Sequence, residues 1–155
     1  MRLCVRVGQG CSRLLDEKMQ NLDCPVVQVD EMWGFIGAKQ KTAKANLMTP
    51  EFGDVWTWVA IDAETKLIPS FIIGKRDRYH ANAFMDDLAS RLQSRPQISS
   101  DALGVYKDAV EKAFGSEVDY GTVIKTFTHT DLAEQRRYSP PEVLKIKKEL
   151  SLIHI

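Results

Sequence analysis

The order of apolar and polar positions divides the chain into segments of helical and extended period. Residues 11–22 set Leu14, Leu15, Met19 and Leu22 against Asp16, Glu17, Lys18 and Gln20, which predicts a short amphipathic helix. Cys24-Pro25 ends it, because the residue before proline avoids the helical region. Residues 26–30 are a β-branched strand that runs on through Glu31, Met32, Trp33, Gly34 and Phe35. Residues 37–49 carry Lys39, Lys41 and Lys44 with no acid and read as a basic loop, closed by Pro50 and Gly53. Residues 55–61 and 67–74 are two further strands around the polar turn 62–66, with Pro69 marking an edge or a bulge.

Helices and strands then alternate. Phe84, Leu88 and Leu92 recur four apart in a predicted helix over 79–94. Residues 97–100 form a short strand ending at Asp101, residues 103–114 a helix stopped by Gly115, and residues 121–127 a fifth strand. The order β-β-β-α-β-α-β is that of a ribonuclease-H-like α/β fold, a mixed five-stranded sheet with helices packed on it. Beyond residue 128 the pattern is polar, with Arg136, Arg137 and Pro140-Pro141. Residues 142–150 are compatible with one more helix, and SLIHI closes the chain with an apolar run. Three regions follow: a helical remnant over 1–25, a core over 26–127 and a polar tail over 128–155.

A chain of 155 residues, 44% of them apolar, is enough for one core. With 21 basic and 21 acidic residues, net charge gives no sign of nucleic acid, so a DNA surface has to come from local clustering. Cys4, Cys11 and Cys24 lack paired spacing and argue neither zinc nor a disulfide framework. No apolar run is of membrane-span length and there is no signal-peptide pattern, so the expectation is a soluble cytoplasmic protein without membrane contact.

The candidate chemistry lies at two strand ends. Asp30 closes the first strand and Asp101 the fourth, and in this fold those strands are neighbours. Paired carboxylates there can hold Mg²⁺, a hard cation that serves in-line phosphoryl displacement. Against this, an aspartate after a strand is commonly a turn residue or a helix cap, and Asp101 stands just before a helix. Glu31 alternates to the opposite face and reads as a salt-bridge or surface residue rather than a ligand. His80 and His129 are isolated. Trp33, Trp56 and Trp58 read as core aromatics, Trp33 lying near enough to wall the site. Lys39, Lys41, Lys44, Lys75, Arg76 and Arg78, with Arg136 and Arg137 beyond them, are ordinary surface charges unless they share a face with the acids.

The segments VQVDEMWGFIGAKQK, GDVWTWVAIDAETKLIPSFIIGKRD, FMDDLASRL, ISSDALGVYKDAVEKAFG and RRYSPPE resemble transposases of the IS-one insertion-sequence family over roughly residues 20–142. The resemblance implies a DDE catalytic core in a bacterial, nucleoid-associated setting. It implies cleavage and transfer of DNA strands at the element's ends and into target DNA, dependence on Mg²⁺ with Mn²⁺ as a substitute, and self-association. Carried over by motif, the first two acidic ligands are Asp30 of VQVDEMW and Asp101 of SSDALGVY. The family's third ligand is a glutamate in a motif like YVERQNL, which this sequence does not contain, and neither Glu142 nor Glu149 stands in that context. The family's N-terminal DNA-binding region is absent too, and LKIKKELSLIHI departs from its pattern. Three functions are thus in play: a transposase core, here expected to be incomplete and inactive; a non-catalytic remnant that binds DNA or full-length transposase; and a ribonuclease-H-like nuclease acting on another substrate.

Overall fold

The computed structural model describes residues 2–115, 118–127 and 143–151. In chain order these form α1 (Arg2–Lys18), β1 (Val26–Ile36), α2 (Gln40–Ala45), β2 (Gly53–Asp62) and β3 (Phe71–Gly74). Then come α3 (Arg78–Arg91), β4 (Gln97–Asp101), α4 (Val105–Phe114), β5 (Asp119–Phe127) and β6 (Val143–Ser151). The strands make one six-stranded mixed sheet in the order β3-β2-β1-β4-β5-β6. β1, β2 and β3 pair antiparallel, β4 and β5 run parallel to β1, and β6 returns antiparallel to β5.

The sheet has six strands rather than the expected five. Residues 143–151, read as a possible helix, are strand β6, paired from Tyr120↔Ser151 to Phe127↔Val143 with one bulge. Its sequence fits both periods: Val143, Ile146 and Leu150 have helical spacing, whereas Leu144, Ile146, Lys148 and Leu150 alternate. The free edge of β5, whose backbone groups need partners, selects the extended form. A core boundary at residue 127 therefore cuts through a continuous sheet. Residues 128–142, including Arg136 and Arg137, and residues 152–155 lie outside the described residues, as does His129.

Two other expectations change. The predicted 11–22 helix is observed at Arg2–Lys18, and no residue of α1 is buried. Its predicted C-terminal end is drawn off by tertiary pairing: the Leu22 N–H donates to the Arg91 carbonyl at 2.9 Å and the Gln93 N–H to the Leu22 carbonyl at 3.0 Å. The basic loop contains α2, because Gln40 and Asp54 cap each other: the Gln40 N–H donates to Asp54 Oδ1 at 2.9 Å, and the Asp54 N–H to Gln40 Oε1 at 3.3 Å. Gly53 sits beside this pair at φ 118°, a conformation only glycine adopts freely.

The core lies on one face of the sheet, under α3 and α4. Val27 and Val29 of β1, Trp58 and Ala60 of β2, Ile98 of β4 and Tyr120 of β5 are buried against Phe84, Met85 and Leu88 of α3 and Tyr106 and Val110 of α4. Each large apolar side chain so placed contributes about 1.5–3 kcal/mol. Trp58 is the centre: its ring stands edge-on to Tyr106 at 5.6 Å, and its Nε1 donates to the Lys75 carbonyl at 3.2 Å. Of the three tryptophans expected in the core, only Trp58 is buried; Trp56 is half-buried and Trp33 is 45% exposed. Buried Arg91 ties α3 to α1, pairing with Asp87 at 2.9 Å and with Asp16 at 2.8 Å.

Candidate metal centre

The site is built by strand register. β1 and β4 are parallel, with Gln28 beside Ser99. Two residues further along each strand, Asp30 and Asp101 project from the same face. Oxygens of Asp30, Asp101 and Glu31 all lie within 4.8 Å of one another. Ligands on opposite sides of an Mg²⁺ ion stand about 4 Å apart and adjacent ones about 3 Å, somewhat closer than this spread. Asp30 Oδ1 accepts the Glu31 N–H at 2.8 Å, and Asp101 Oδ1 accepts the Leu103 N–H at 2.9 Å, which steadies both carboxylates. Asp101 thus also shapes the entry to α4, as its place before a helix anticipates.

Glu31 sits where alternation puts it, on the helix side with Val27 and Val29, but it is not a surface residue: its side chain is 1% exposed. Arg76, from the loop between β3 and α3, reaches it with Nε at 3.1 Å and Nη2 at 3.0 Å. Both contacts fall on Oε2, and Oε1 is buried without a hydrogen-bond partner. The same guanidinium is 3.8 Å from Asp101 Oδ2. Burial pushes the Glu31 carboxyl above the usual range; Tyr106 opposes this, Asp101 adds to it and Arg76 opposes it again. The buried Tyr106 hydroxyl stands beside the Glu31 carboxylate as a hydrogen-bond neighbour and favours its charged form. Burial first, then Glu31, Asp101 and Asp30, push the Tyr106 hydroxyl far up, which keeps it a neutral donor.

On the open face, Asp30 and Asp101 look into a groove of ≈ 590 Å³ shared with Gln28, Ser99, Val123 and Lys125. That is room for a phosphate and its neighbouring sugar. The donors are hard oxygens with neither histidine nor cysteine among them, which suits Mg²⁺ or Mn²⁺ and not zinc. The unpartnered Oε1 of Glu31 at the same place agrees with that fit.

Of the basic residues expected at a DNA surface, Arg76 belongs to the acidic cluster. Lys75 donates to the Asp54 carbonyl at 2.8 Å and Arg78 pairs with Asp108 at 2.6 Å. Lys39, Lys41 and Lys44 are exposed on or beside α2. Trp33 and Trp56 are paired across β1 and β2, with Arg76 stacked 4.8 Å from the Trp56 ring and Lys39 5.3 Å from the Trp33 ring. A cation-aromatic row thus leads away from the carboxylates. Glu149 lies on β6, paired with Lys147, outside the cluster. His80 pairs with Asp77 at 2.8 Å.

Sequence reasoning missed Glu31 as a member of the cluster, and with it Arg76 and Tyr106. The signal was present: in Val27, Val29, Glu31 a carboxylate continues a core-facing alternation, and a buried charge requires a partner.

No protein-family model matches the chain, and no curated protein matches it. Among solved structures, a piggyBac transposase synaptic complex with hairpin DNA is similar at a TM-score of 0.36 and 12% identity, over 74% of this chain and 26% of that one. This chain therefore spans about a quarter of that protein's length, and a likeness so low adds nothing to the reading of the site. Among the described residues no helix is long and apolar enough to cross a membrane.

Proposed function

We propose that the chain carries the cation-binding centre of a ribonuclease-H-like transposase core, which cleaves DNA strands and transfers them to target DNA with Mg²⁺, Mn²⁺ being a substitute. The observation that carries this reading is the meeting of Asp30 and Asp101 at the ends of adjacent parallel strands, inside a groove wide enough for a phosphodiester. The strand order and directions, three antiparallel strands followed by parallel ones joined through helices, support it. So does the resemblance of the segments around both aspartates to IS-one transposases. When bound, the cation supplies positive charge to the attacking and leaving oxygens of an in-line displacement. The chain's own residues do the rest. Asp30 and Asp101 hold the cation, Lys125 attracts the phosphate, and Gln28 and Ser99 offer it hydrogen bonds. On the helix side of β1 and β2, the row Arg76, Trp56, Trp33, Lys39 offers stacking and charge to nucleic acid outside the groove.

A second reading, a remnant that binds DNA or transposase without cutting, is favoured by one feature: Arg76 already stands against Glu31 at 3.0 Å and 3.8 Å from Asp101, giving the acids a positive partner without a cation. Supercoiled plasmid in millimolar Mg²⁺ or Mn²⁺ separates the two, with thermal stabilisation by the cation recorded alongside. The transposase reading expects stabilisation and nicking, both lost in Asp30→Asn and in Asp101→Asn. Stabilisation without nicking selects the remnant, and cleavage of an RNA–DNA hybrid but not of duplex DNA selects a nuclease. A chain whose melting is indifferent to either cation does not have this site.

A further inference from the structure

We propose that the outer arm of the β1–β2 hairpin is a stacking platform for unpaired nucleotides, in which Trp33 and Phe35 take the bases and Lys39 attracts the backbone phosphates. This rests on the reading of the chain as a DNA-binding protein and adds to it a surface apart from the cation site. β1 pairs with β4 only as far as Gln28, whereas its pairing with β2 runs on to Ile36. Residues 32–36 of β1 and 53–57 of β2 therefore reach past the parallel half of the sheet. On their helix side, the alternation that buries Val27 and Val29 continues through Trp33 and Phe35. These two rings stay open to water all the same: Trp33 is 45% exposed and Phe35 48%. Large aromatic rings have much to gain from burial, so an exposed pair of them marks a binding surface.

Two features select the ligand. The first is charge. Lys39 lies 5.3 Å from the Trp33 ring, and Arg76 lies 4.8 Å from that of Trp56, the cross-strand neighbour of Trp33. Arg76 is engaged by Glu31 at 3.0 Å, whereas among the described residues Lys39 forms no ion pair and can follow a phosphate. Lys41 and Lys44 are exposed beside it, and residues 37–49 contain no acid. Aromatic faces flanked by cations suit a polyanion whose units present flat rings, which is a nucleic-acid strand. A second copy of this chain suits them poorly, because a two-fold contact through this row sets cation toward cation. The second feature is spacing. The Trp33 and Phe35 centroids are 5.7 Å apart and their planes are inclined at 41°. Successive nucleotides of a duplex strand repeat at about 3.4 Å with their bases stacked, so a duplex cannot address both rings. The bases of an unpaired strand, free to separate and tilt, can.

The test measures binding of a fluorescein-labelled oligothymidylate, and of a hairpin duplex of equal length, to the full chain by fluorescence anisotropy. EDTA is present throughout, so a failed nicking or cation-stabilisation experiment leaves this result untouched and the two readings fail separately. The single strand should bind more tightly than the duplex. Trp33→Ala should weaken single-strand binding at least about fivefold, the smallest effect expected for loss of one stacked base, and Trp33→Phe should restore part of it. Met32→Ala, on the other face of the same arm, should leave it unchanged. Lys39→Gln should lessen the slope of log affinity against log salt by about 0.7, the value for one phosphate of a single strand, and Trp33→Ala should not. The proposal is overturned by a wild type that binds no oligothymidylate or binds the duplex as well. It is overturned too by an affinity that Trp33→Ala leaves unchanged, by an equal loss in Met32→Ala, or by a salt slope indifferent to Lys39→Gln. A dimer that Trp33→Ala dissociates, with no oligothymidylate bound, gives the surface to a second copy instead. A second measurement needs no substitution: an oligothymidylate carrying 5-iodouracil is irradiated with the wild type, and the crosslinked residue is found by mass spectrometry. Crosslinks to Trp33 or Phe35 are expected, and crosslinks confined to other residues overturn the proposal even if Trp33→Ala does not fold.

Discussion

The two faces of the sheet share a backbone and differ in almost everything else. Toward α3 and α4, Val27, Val29, Trp58, Ala60, Ile98 and Tyr120 are closed to water. One residue along each strand, Gln28, Asp30, Val59, Ile61, Ser99 and Asp101 line the open groove. Exposed Met32, Phe71, Ile73, Ile146 and Leu150 continue that open face to both sides of the groove. The covered face holds the fold and fixes the register; the open face uses that register to aim two carboxylates. Glu31 breaks the division, since it lies on the covered face yet joins the acids of the open one.

This division sets a scale of effects that equilibrium unfolding in urea can measure. Trp58→Ala removes the centre of the covered face and should cost about 3–5 kcal/mol. A loss under 1 kcal/mol would mean that the helices do not depend on that packing. Arg91→Met comes next, at about 1–3 kcal/mol. Breaking a buried pair is expensive, but its partners Asp16 and Asp87 are partly solvated and recover some of the loss.

Asp77→Ala is smaller, about 1 kcal/mol, because it removes the N-cap of α3, where Asp77 Oδ1 accepts the His80 N–H at 2.9 Å. That bond, ahead of the His80 side chain, holds the Asp77 carboxyl below its ordinary value of 3.8. A depressed carboxylate stabilises the fold above its unfolded value and loses the effect as pH falls through its folded one. The difference between wild type and Asp77→Ala should therefore be full at neutral pH and shrink below pH 3.8. A difference that is constant down to strong acid would show that the carboxylate is not the cap. Smallest of all, Ile61→Thr on the open face should shift stability by about 0.5 kcal/mol. A loss as large as that of Trp58→Ala would mean that the groove is packed in solution and that the two faces are alike.

The sheet was legible where one period stood alone. Residues 26–35 and 55–61 alternate without a competing helical reading and are strands. The convergence of Asp30 and Asp101 was legible because it depends only on two strands being parallel neighbours. β6 was not, because both periods coexist in it and a neighbouring strand edge decides between them. Arg76 was not either: its reach to Glu31 depends on how the 75–77 loop is held, with the Lys75 carbonyl anchored by Trp58 and Gly74 close under the His80 ring. Neither contact leaves a periodic trace in the sequence.

β6 has one more consequence, which concerns what the protein does in crowded company. Among the described residues it is an edge strand of the sheet, nine residues long, and it carries Lys145, Lys147 and Lys148. A bare strand edge of that length is a template on which another chain can add a strand and begin aggregation. A second copy joining edge to edge would bring these ammonium groups against their counterparts, and like charges placed opposite each other oppose the pairing. On that edge the lysines would act as gatekeepers. Replacing them with threonine would keep the strand and turn a guarded border into a nucleus for stacking.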